Sequence, residues 1–305
     1  MSGDIAESVA LILHSYDKKI EIHGADVKSN RINTNLCTKI FLPPLTSDSN
    51  YRKWLFDVLD KEKYDFFIPC SESEINYLAS LPDKDMKAIE DKTELVWAGK
   101  KVVEKLSSKC LTYKFLNSMG LDTPEMYSLE KARTRLPVVV KPDVGRGSHN
   151  VFICRNQEEL DAAIKIVHGP IIQEFLEDDE SEFTCAVYRD HSLGVKNIII
   201  RRYLSNGSTS WGEIAKHSGI EDICTRIATK LDLQGSINIQ LRIKNHRLVI
   251  FEINPRFSST VYLRSLVHFN DLLWSIGLSS PNEYTYAEST TGTKFKVMKV
   301  AFKLK

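Results

Sequence analysis

Apolar and polar residues alternate along two neighbouring stretches late in the chain, GSINIQLRI and RLVIFEINP. Alternation with a period of two predicts a pair of strands, each with one apolar and one polar face. The polar faces carry Asn238 and Gln240 on the first strand, and Glu252 and Asn254 on the second. The chain therefore presents a row of carboxylate and amide groups beside an apolar core.

The KNHR segment between these strands predicts a turn, and its length sets the register. An odd loop centred on His246 places Gln240 opposite Glu252 and also pairs the two asparagines. An even loop shifts the register by one residue and separates these pairs. We expect the odd loop, because Glu252 lies between apolar neighbours and needs a polar partner.

The first hundred residues alternate between helical and strand patterns. IAESVALILHSY has apolar residues at helical spacing, and KKIEIHGADV reads as a short strand after it. The same order returns in YRKWLFDVLDKEK and YDFFIPCSESEINYLAS, which predicts an open α/β domain. Such a domain usually opens with a strand, whereas a helical pattern starts directly after Met1. We expect a first strand encoded upstream of this Met, or else a sheet built without it.

A second unit begins near SSKCLTYKFLNSMGLDTP, which predicts a helix capped by Ser107 or Ser108. Its inward side is predicted to carry Leu111, Phe115 and Met119. RLPVVVKPDVGRGSHNVFIC then predicts a strand, a glycine-containing loop and another strand, and NQEELDAAIKIVHG predicts a helix. PIIQEFLE, SEFTCAVYRD and GVKNIIIRRYL predict further strands.

Composition excludes several functional classes. The 305 residues are 42% hydrophobic and 27% charged, which suits a soluble globular protein of two or three lobes. The net charge is +1 with both signs mixed along the chain, so no nucleic-acid partner is predicted. Apolar runs stay short of about 18 residues, so no membrane partner is predicted. Six separated cysteines without a CxxC pair or signal peptide indicate reduced thiols and a cytoplasmic location.

The polar groups at the end of the predicted hairpin suit a magnesium site. Mg²⁺ prefers oxygen ligands, usually one or two carboxylates, with nucleotide phosphates completing its shell. Glu252, Asn254 and Gln240 supply such oxygens, and Arg256 is placed to meet a phosphate or a developing anion. The simpler alternative is a structural ion pair between Glu252 and either Arg256 or Arg242.

A glycine loop complements these groups. Gly145 and Gly147 allow backbone N–H groups to approach a triphosphate, and Lys141 on the preceding strand adds a positive charge. The glycine pair alone is more typical of a simple turn, and Lys141 alone could be a solvated lysine at a strand end. Only the order of the two features favours a phosphate site.

The ordered set VVVKPDVGRGSHNV, IIQEFLEDDESEF, INIQLRI and IFEINPRFS resembles the ATP-grasp superfamily, in the branch related to the carbamoyl-phosphate synthase large subunit. The resemblance spans nearly the whole chain. It implies a fold of the α/β and α+β classes: an open α/β (pre-ATP-grasp) domain, with or without its first strand, and then a two-lobed ATP-grasp fold. The implied boundaries are 1–100 for the first domain, 101–175 for the N-lobe with its linker helix and glycine-rich loop, and 176–305 for the C-lobe with the metal site.

The resemblance implies a nucleotide site. Its implied members are Lys109, Lys141, Gly145, Gly147, Ser148, Gln173, Glu174, Phe175, Leu176 and Glu182. The two lysines would approach the ATP phosphates under the glycine loop, and backbone groups of Glu174 and Leu176 would read the adenine edge. Glu182 would receive the ribose hydroxyls, with the adjoining acidic run at 177–180 as the alternative.

The resemblance also implies the reacting groups. Gln240, Glu252 and Asn254 would bind Mg²⁺ or Mn²⁺, although many relatives carry Asp or Glu where this chain has Gln240. The implied catalytic residues are Arg256, Lys141 and Arg201, with Arg202 as the alternative to Arg201.

The implied activity is that of an ATP-dependent carboxylate–amine ligase. It would activate a small-molecule carboxylate as an acyl phosphate and transfer it to an amine, and a homodimer is compatible with it. The alternatives are an ATP-binding sensor or scaffold without ligase activity, and a bicarbonate-phosphorylating enzyme like carbamoyl-phosphate synthase. The residues do not identify the carboxylate or the amine.

Overall fold

The computed structural model describes residues 4–28, 35–145, 149–177, 182–205, 208–284 and 290–297. Its N-terminal part contains helices α1 (Asp4–Tyr16), α2 (Asn50–Glu62), α3 (Glu72–Ser80), α4 (Asp83–Glu90) and α5 (Lys100–Leu106), and strands β1 (His23–Ala25), β2 (Lys39–Phe41), β3 (Phe66–Phe67) and β4 (Glu94–Leu95). The α/β class is confirmed, and the strands described there form two parallel pairs, β1–β2 and β3–β4. The strand predicted in KKIEIHGADV is confined to β1.

The middle of the chain forms a small antiparallel sheet with helices beside it. Its elements are α6 (Lys109–Ser118), α7 (Leu129–Arg133), β5 (Val138–Pro142), β6 (Phe152–Cys154), α8 (Gln157–Ile166) and β7 (Pro170–Glu174). The strand order is β6-β5-β7, and the predicted helix α8 buries Leu160 and Ala163. This sheet carries Lys141 on β5 and Gln173 on β7.

Helix α6 corrects one prediction from the sequence. Ser108 caps it as expected, with its side chain accepting a hydrogen bond from the Leu111 amide. Phe115 and Met119 are partly buried against the core as predicted. Leu111, however, is 42% exposed, and the fully inward residues are Thr112, Tyr113 and Leu116. The error arose because the helix has two apolar stripes, and only the surrounding sheets decide which of them is buried.

The C-terminal part is built on a large antiparallel sheet with the order β12-β11-β8-β9-β10-β13. Its elements are β8 (Glu182–Asp190), β9 (Gly194–Ser205), β10 (Ser208–Ala215), α9 (Ser218–Leu231), β11 (Gly235–Lys244), β12 (Arg247–Asn254), α10 (Val261–Ser265), α11 (Asp271–Ser275), a 3₁₀ turn (Pro281–Glu283) and β13 (Lys294–Lys296). Helix α9 covers one face, where Ile223 and Ile227 join the core with Ile237 and Ile239. The opposite face carries the polar side chains.

The hairpin of β11 and β12 confirms the predicted pairs but not the predicted loop. Gln240 faces Glu252, and Asn238 faces Asn254. The loop is nevertheless even: two residues with positive φ, at 50° and 64°, separate the paired Lys244 and Arg247. Gln240 pairs with residue 252 while the next residue, 241, pairs with 250, so residue 251 is an extra residue in a β-bulge. The bulge shifts the register by one residue and restores the pairs that the even turn alone would separate.

A buried ion pair holds the chain after β12. Arg264 and Asp271 are both fully buried and share two hydrogen bonds, of 2.9 and 2.6 Å. Arg264 also donates to the Ser258 hydroxyl, and Ser236 at the start of β11 donates to Asp271. These bonds fix the segment that follows Arg256 against the sheet.

The described helices include none that is long and apolar enough to cross a membrane. The six cysteines are all within the described residues and form no disulfide, as predicted.

Candidate functional site

An open cleft lies where the start of α6, the loop after β5 and the end of β12 meet. Five of the predicted site residues line it: Lys109, Gly145, Glu252, Asn254 and Arg256. They come from three segments, the last of which lies more than 100 residues beyond the other two, so the fold brings together groups that the sequence presents separately. Gly147 and Ser148 lie outside the described residues.

Lys109 joins the linker helix to the glycine loop. Its Nζ donates to the carbonyl oxygens of Asp143, at 3.2 Å, and Gly145, at 3.3 Å. The Asp143 carboxylate accepts a 2.8 Å hydrogen bond from the Cys110 amide in the first turn of α6. The described part of the loop is therefore held beside the helix N-terminus, where amide dipoles favour an anion.

Lys141 is buried and reaches the cleft through Tyr113, a residue that the sequence did not single out. The Lys141 Nζ lies 3.3 Å from the Tyr113 hydroxyl. That hydroxyl lies 2.9 Å from both Gln173 Oε1 and the Phe251 carbonyl oxygen, either of which can accept its proton. Tyr113 thus connects α6, the small sheet and the bulge of β12. Its only sequence signal was a position four residues after Lys109, on the same side of a helix.

Charge at Lys141 depends on this enclosed setting. Burial lowers the pKa of Lys141 to about 8, and Lys109 acts in the same direction, while Glu252 and Asp143 oppose the shift. Burial raises the pKa of the Tyr113 hydroxyl, which therefore stays protonated as a donor. A nearby anion would favour the charged form of Lys141.

The segment after β7 is tied to β11 by two basic side chains. Lys244 donates to Glu174 Oε1 at 2.8 Å and to the Phe175 carbonyl at 3.0 Å. Arg242 donates to the Leu176 carbonyl at 2.6 Å. No described residue accepts a hydrogen bond from the Leu176 N–H.

Glu182 is engaged by protein side chains on both of its carboxylate oxygens. It is 4% exposed; Arg202 Nε donates to its Oε1 at 2.8 Å, and Arg242 Nη2 donates to its Oε2 at 2.6 Å. The ribose role that the resemblance implied for Glu182 stays a prediction, and in it the carboxylate would keep these two arginine contacts. The alternative carboxylates at 178–180 lie outside the described residues.

The two neighbouring arginines of β9 point to opposite faces of the sheet. Arg202 lies on the polar face, and its Nη2 donates to Gln240 Oε1 at 2.7 Å. Arg201 pairs across the sheet with Phe183 on the other face and donates to Glu213 at 2.8 Å. The geometry therefore places Arg202 beside the predicted metal ligands and does not place Arg201 there.

The three predicted metal ligands differ in what they contact. No described residue hydrogen-bonds to the side chains of Glu252 or Asn254, and the ion pair considered between Glu252 and Arg256 or Arg242 is not formed. Glu252 interacts with the nearby Lys141 through charge alone. Gln240, in contrast, has its oxygen occupied by Arg202. Asn238, opposite Asn254, is 1% exposed, and its Nδ2 finds no acceptor among the described residues.

This donor set fits a divalent cation in part. Glu252 and Asn254 present hard oxygens to the cleft, as Mg²⁺ requires. Gln240 does not fit equally, because a guanidinium already binds its oxygen. Within the described ranges, no group of three or more His, Cys, Asp and Glu side chains is arranged to hold a metal. Ligand phosphates would therefore have to complete the shell.

Arg256 lies between the cleft and a second pocket. Trp97, Asp190, Ser236 and Trp274 contribute to that pocket, which lies between the N-terminal part and the large sheet. Among the described residues Arg256 has no carboxylate partner, and its Nη1 donates to the Phe257 carbonyl at 3.1 Å. The guanidinium can thus meet an anion from either side.

Comparison with known proteins found a matching family and several relatives. The family described as ATP-grasp domain matches residues 106–260, just over half of the chain. A carbamoyl phosphate synthase large chain from Methanothrix thermoacetophila is 24% identical over 272 residues, covering 79% of this chain and 24% of its own length. A D-alanine–D-alanine ligase from Fusobacterium nucleatum is 34% identical over 88 residues, covering 29% of this chain and 30% of the ligase.

Solved structures share the fold. The biotin carboxylase domain of 2-oxoglutarate carboxylase from Hydrogenobacter thermophilus, solved as a dimer with MgADP, ADP and bicarbonate, has a TM-score of 0.69 at 14% identity, covering 96% of this chain and 71% of that one. N5-carboxyaminoimidazole synthetase from Staphylococcus aureus, complexed with ADP, also has a TM-score of 0.69, at 16% identity, covering 92% and 77%.

Proposed function

The chain belongs to the ATP-grasp family, and from that premise we propose that it is an ATP-dependent ligase joining a small-molecule carboxylate to an amine. The observation that supports this most is the cleft in which Lys109, Glu252, Asn254 and Arg256 meet. A protein that only bound nucleotide would have less need of an unpaired arginine beside two oxygen ligands.

The nucleotide would lie between the small and large sheets. Its phosphates would meet the N-terminus of α6, Lys109 and Lys141, and its adenine would accept a hydrogen bond from the Leu176 N–H. Tyr113 would hold Lys141 in place, since it contacts the lysine and both sheets. Mg²⁺ or Mn²⁺ would be held by Glu252 and Asn254, and when bound it would neutralise charge on the phosphates.

The carboxylate would enter from the second pocket. From that pocket its oxygen would reach the cleft and attack the γ-phosphorus, forming an acyl phosphate and ADP, and an amine would then displace phosphate from the acyl carbon. Arg256 would stabilise the anionic groups as they form, because its guanidinium is already directed between the two spaces. Catalysis of this kind consists mainly of positioning and charge stabilisation.

The proposal also includes the domain boundaries, the oligomeric state and the cellular location. We retain the domain boundaries near residues 100 and 175. A homodimer is compatible with the dimeric Hydrogenobacter neighbour. A cytoplasmic location agrees with the six free thiols.

A hydroxylamine trap tests the ligase activity without knowledge of the amine. The protein is incubated with MgATP, pooled carboxylic acids and hydroxylamine, and hydroxamate and ADP are measured together. We expect ADP release that depends on particular acids and yields an equal amount of hydroxamate. Glu252→Gln is the matched control, because it removes one charge at nearly constant shape.

The outcomes separate the alternatives. Tight MgATP binding without hydroxamate for any acid would favour a nucleotide-binding sensor or scaffold. ADP release with bicarbonate alone would favour the bicarbonate-phosphorylating reaction.

A further inference from the structure

The second pocket has a volume of about 320 Å³ and lies beside the loop that carries Arg256. Its lining comes from the N-terminal part, from the adjacent ends of β8 and β11, and from α11. Pockets that bind small organic molecules begin at about 300 Å³. The second pocket is therefore large enough for such a molecule.

Aromatic side chains form part of its walls. Trp274 lies on α11 and Tyr188 on β8, and their rings make a T-shaped contact with centroids 5.3 Å apart. Trp97 adds a third ring from the N-terminal part. The loop of Trp97 packs closely on β11 at Gly235, where an added Cβ would lie 2.9 Å from the Trp97 carbonyl oxygen. These walls suit the planar or apolar body of a ligand.

Charge is distributed unevenly around these walls. Arg256 is the one cation among the described residues that line the pocket, whereas Glu94 and Asp190 supply two carboxylates. Arg256 also lines the cleft, and neither carboxylate does. Arg256 follows β12 and Asp190 ends β8; β11 separates these strands in the sheet, so the backbones are about 10 Å apart. The pocket is therefore basic beside the cleft and acidic away from it.

The two carboxylates have no basic partner. Asp190 accepts hydrogen bonds from the Ser192 hydroxyl, at 2.5 Å, and from Gln234, at 3.1 Å. The Ser192 bond contributes most to a lowered pKa of Asp190, which keeps this carboxylate charged. Within the described part of the chain, no Lys, Arg or His makes a salt bridge with Asp190 or with the exposed Glu94.

Charges behind the lining cancel. Ser236 donates to Asp271, and Arg264 neutralises that carboxylate through two hydrogen bonds. Arg189, which precedes Asp190, is bonded to Asp232. The lining itself therefore carries an excess of one negative charge.

We propose that the second pocket binds a carboxylic acid whose bulky body carries an amino or guanidino group away from the carboxylate. The carboxylate would meet Arg256, the body would contact Trp97 and Trp274, and the cation would face Asp190. The positive group would balance the negative excess of the lining, whereas a further anionic group would increase it. This inference rests on the proposed ligase function, for which it names the class of acid.

Matched pairs of acids test the preference for a positive charge. The pairs are para-aminomethylbenzoate with para-ethylbenzoate, and L-arginine with L-citrulline, because the members of each pair have nearly the same shape. Calorimetric titration of the full chain in the presence of MgADP measures the four affinities. We expect the cationic member of at least one pair to bind about tenfold more tightly than its neutral partner, the size expected for one charged hydrogen bond.

Conservative variants locate this preference in the pocket. Glu94→Gln and Asp190→Asn should each reduce it, and their combination should abolish it. Glu94 is exposed, so its variant keeps the test available if Asp190→Asn, which alters hydrogen bonds in a turn, does not fold. Glu104→Gln is the matched control and should keep the preference, because Glu104 is an exposed carboxylate on α5 outside the pocket.

Tryptophan fluorescence gives a second measurement of where the acid binds. The chain has four tryptophans, and Trp54→Phe/Trp211→Phe leaves Trp97 and Trp274, which both line the pocket. We expect the preferred acid to change the fluorescence of this variant in a saturable way, with the same affinity as in calorimetry. Unchanged fluorescence at saturation would place the acid elsewhere and overturn the inference.

The remaining outcomes separate this inference from the proposed function. Equal affinities within both pairs, no binding of any of the four acids, or a preference that persists in a folded Glu94→Gln/Asp190→Asn protein overturns the inference and leaves the ligase proposal standing. Failure to form hydroxamate with every acid overturns the proposed function instead, and it does so independently of these affinities.

Discussion

Glu182 and Glu252 lie on the same face of one sheet, yet their surroundings are opposite. Glu182 is 4% exposed and bonded to two arginines. Glu252 lines an open cleft, and no described residue bonds to its carboxylate. Gln240 separates them, with its oxygen turned to the arginine cluster. The same chemical group therefore serves the fold at one position and is left for a ligand at the other.

The difference follows from what each carboxylate costs the folded state. A buried charge is tolerated only when charged or hydrogen-bonding partners compensate for its lost hydration. If one partner is removed, the remaining buried charges keep the cost of desolvation without that compensation. A carboxylate that water can hydrate needs no protein partner, so it remains able to bind a cation. A substitution at Glu252 should therefore affect mainly activity, and one at Glu182 mainly stability.

The largest effect is expected at Glu252. Glu252→Gln should lower acid-dependent ADP release by about 10²–10³-fold, the size typical of losing one preorganised electrostatic contact. The urea midpoint of unfolding should fall only slightly, because no described residue hydrogen-bonds to the wild-type carboxylate and the variant loses only its charge interaction with Lys141. Full activity in this variant would reject Glu252 as a ligand for the phosphate-bound cation.

The same change at Glu182 should act mainly on stability. Glu182→Gln removes the countercharge of Arg202 and Arg242, so the unfolding free energy should fall by about 3–5 kcal/mol, as for other broken buried pairs. Equilibrium urea unfolding measures it. A loss below about 1 kcal/mol would mean that the cluster behaves like a surface ion pair.

A smaller effect should separate positioning from stability at Tyr113. Tyr113→Phe and Tyr64→Phe each remove a hydroxyl with a hydrogen-bond partner, which costs about 0.5–1.5 kcal/mol of stability. Only Tyr113→Phe should also weaken nucleotide binding, by about tenfold, because its hydroxyl contacts Lys141. Calorimetric titration with ADP compares them, and equal affinities would assign Tyr113 a structural role alone.

The smallest expected effect is a pH dependence from Lys141. Its pKa of about 8 means that positive charge is lost as pH rises through that value, so nucleotide affinity should fall by up to about tenfold between pH 7 and 9. Lys141→Arg stays charged and should show a flatter profile. If the pH profile of Lys141→Arg were identical to that of the wild type, another titrating group would cause the pH dependence.

The stability contribution of Lys141 has the opposite sign. The pKa in the folded protein lies below the ordinary lysine value of 10.5, so the unfolded chain binds more protons between about pH 8 and 10.5. Burial of the charged lysine therefore destabilises the fold below pH 8, and this penalty is relieved as pH rises towards 10.5. In Lys141→Met that rise should be absent.

Much of the site was predictable from local patterns. The shared polar face of Gln240 and Glu252 followed from alternation, whereas their direct pairing was expected from an odd loop and is produced by the bulge. The cap of α6 followed from Ser108. The inward face of α6 was predicted only in part: Phe115 and Met119 pack against the core, but Leu111 is exposed and Leu116 was missed, because the periodicity allowed two choices. Tyr113 was missed for the same reason.

The sequence by itself determined the order of elements, the polar face of the β11–β12 hairpin and the family to which the chain belongs, because these depend on local periodicity and on motifs in a fixed order. Only the tertiary structure decided which groups are neutralised. Arg242 reaches Glu182 across 60 residues, and the Tyr113 hydroxyl reaches the bulge carbonyl of Phe251 across 138. The charges that folding brings beside a carboxylate decide whether it has a structural role or can bind a ligand. Alternation within a strand cannot predict those charges, because they come from residues distant in sequence.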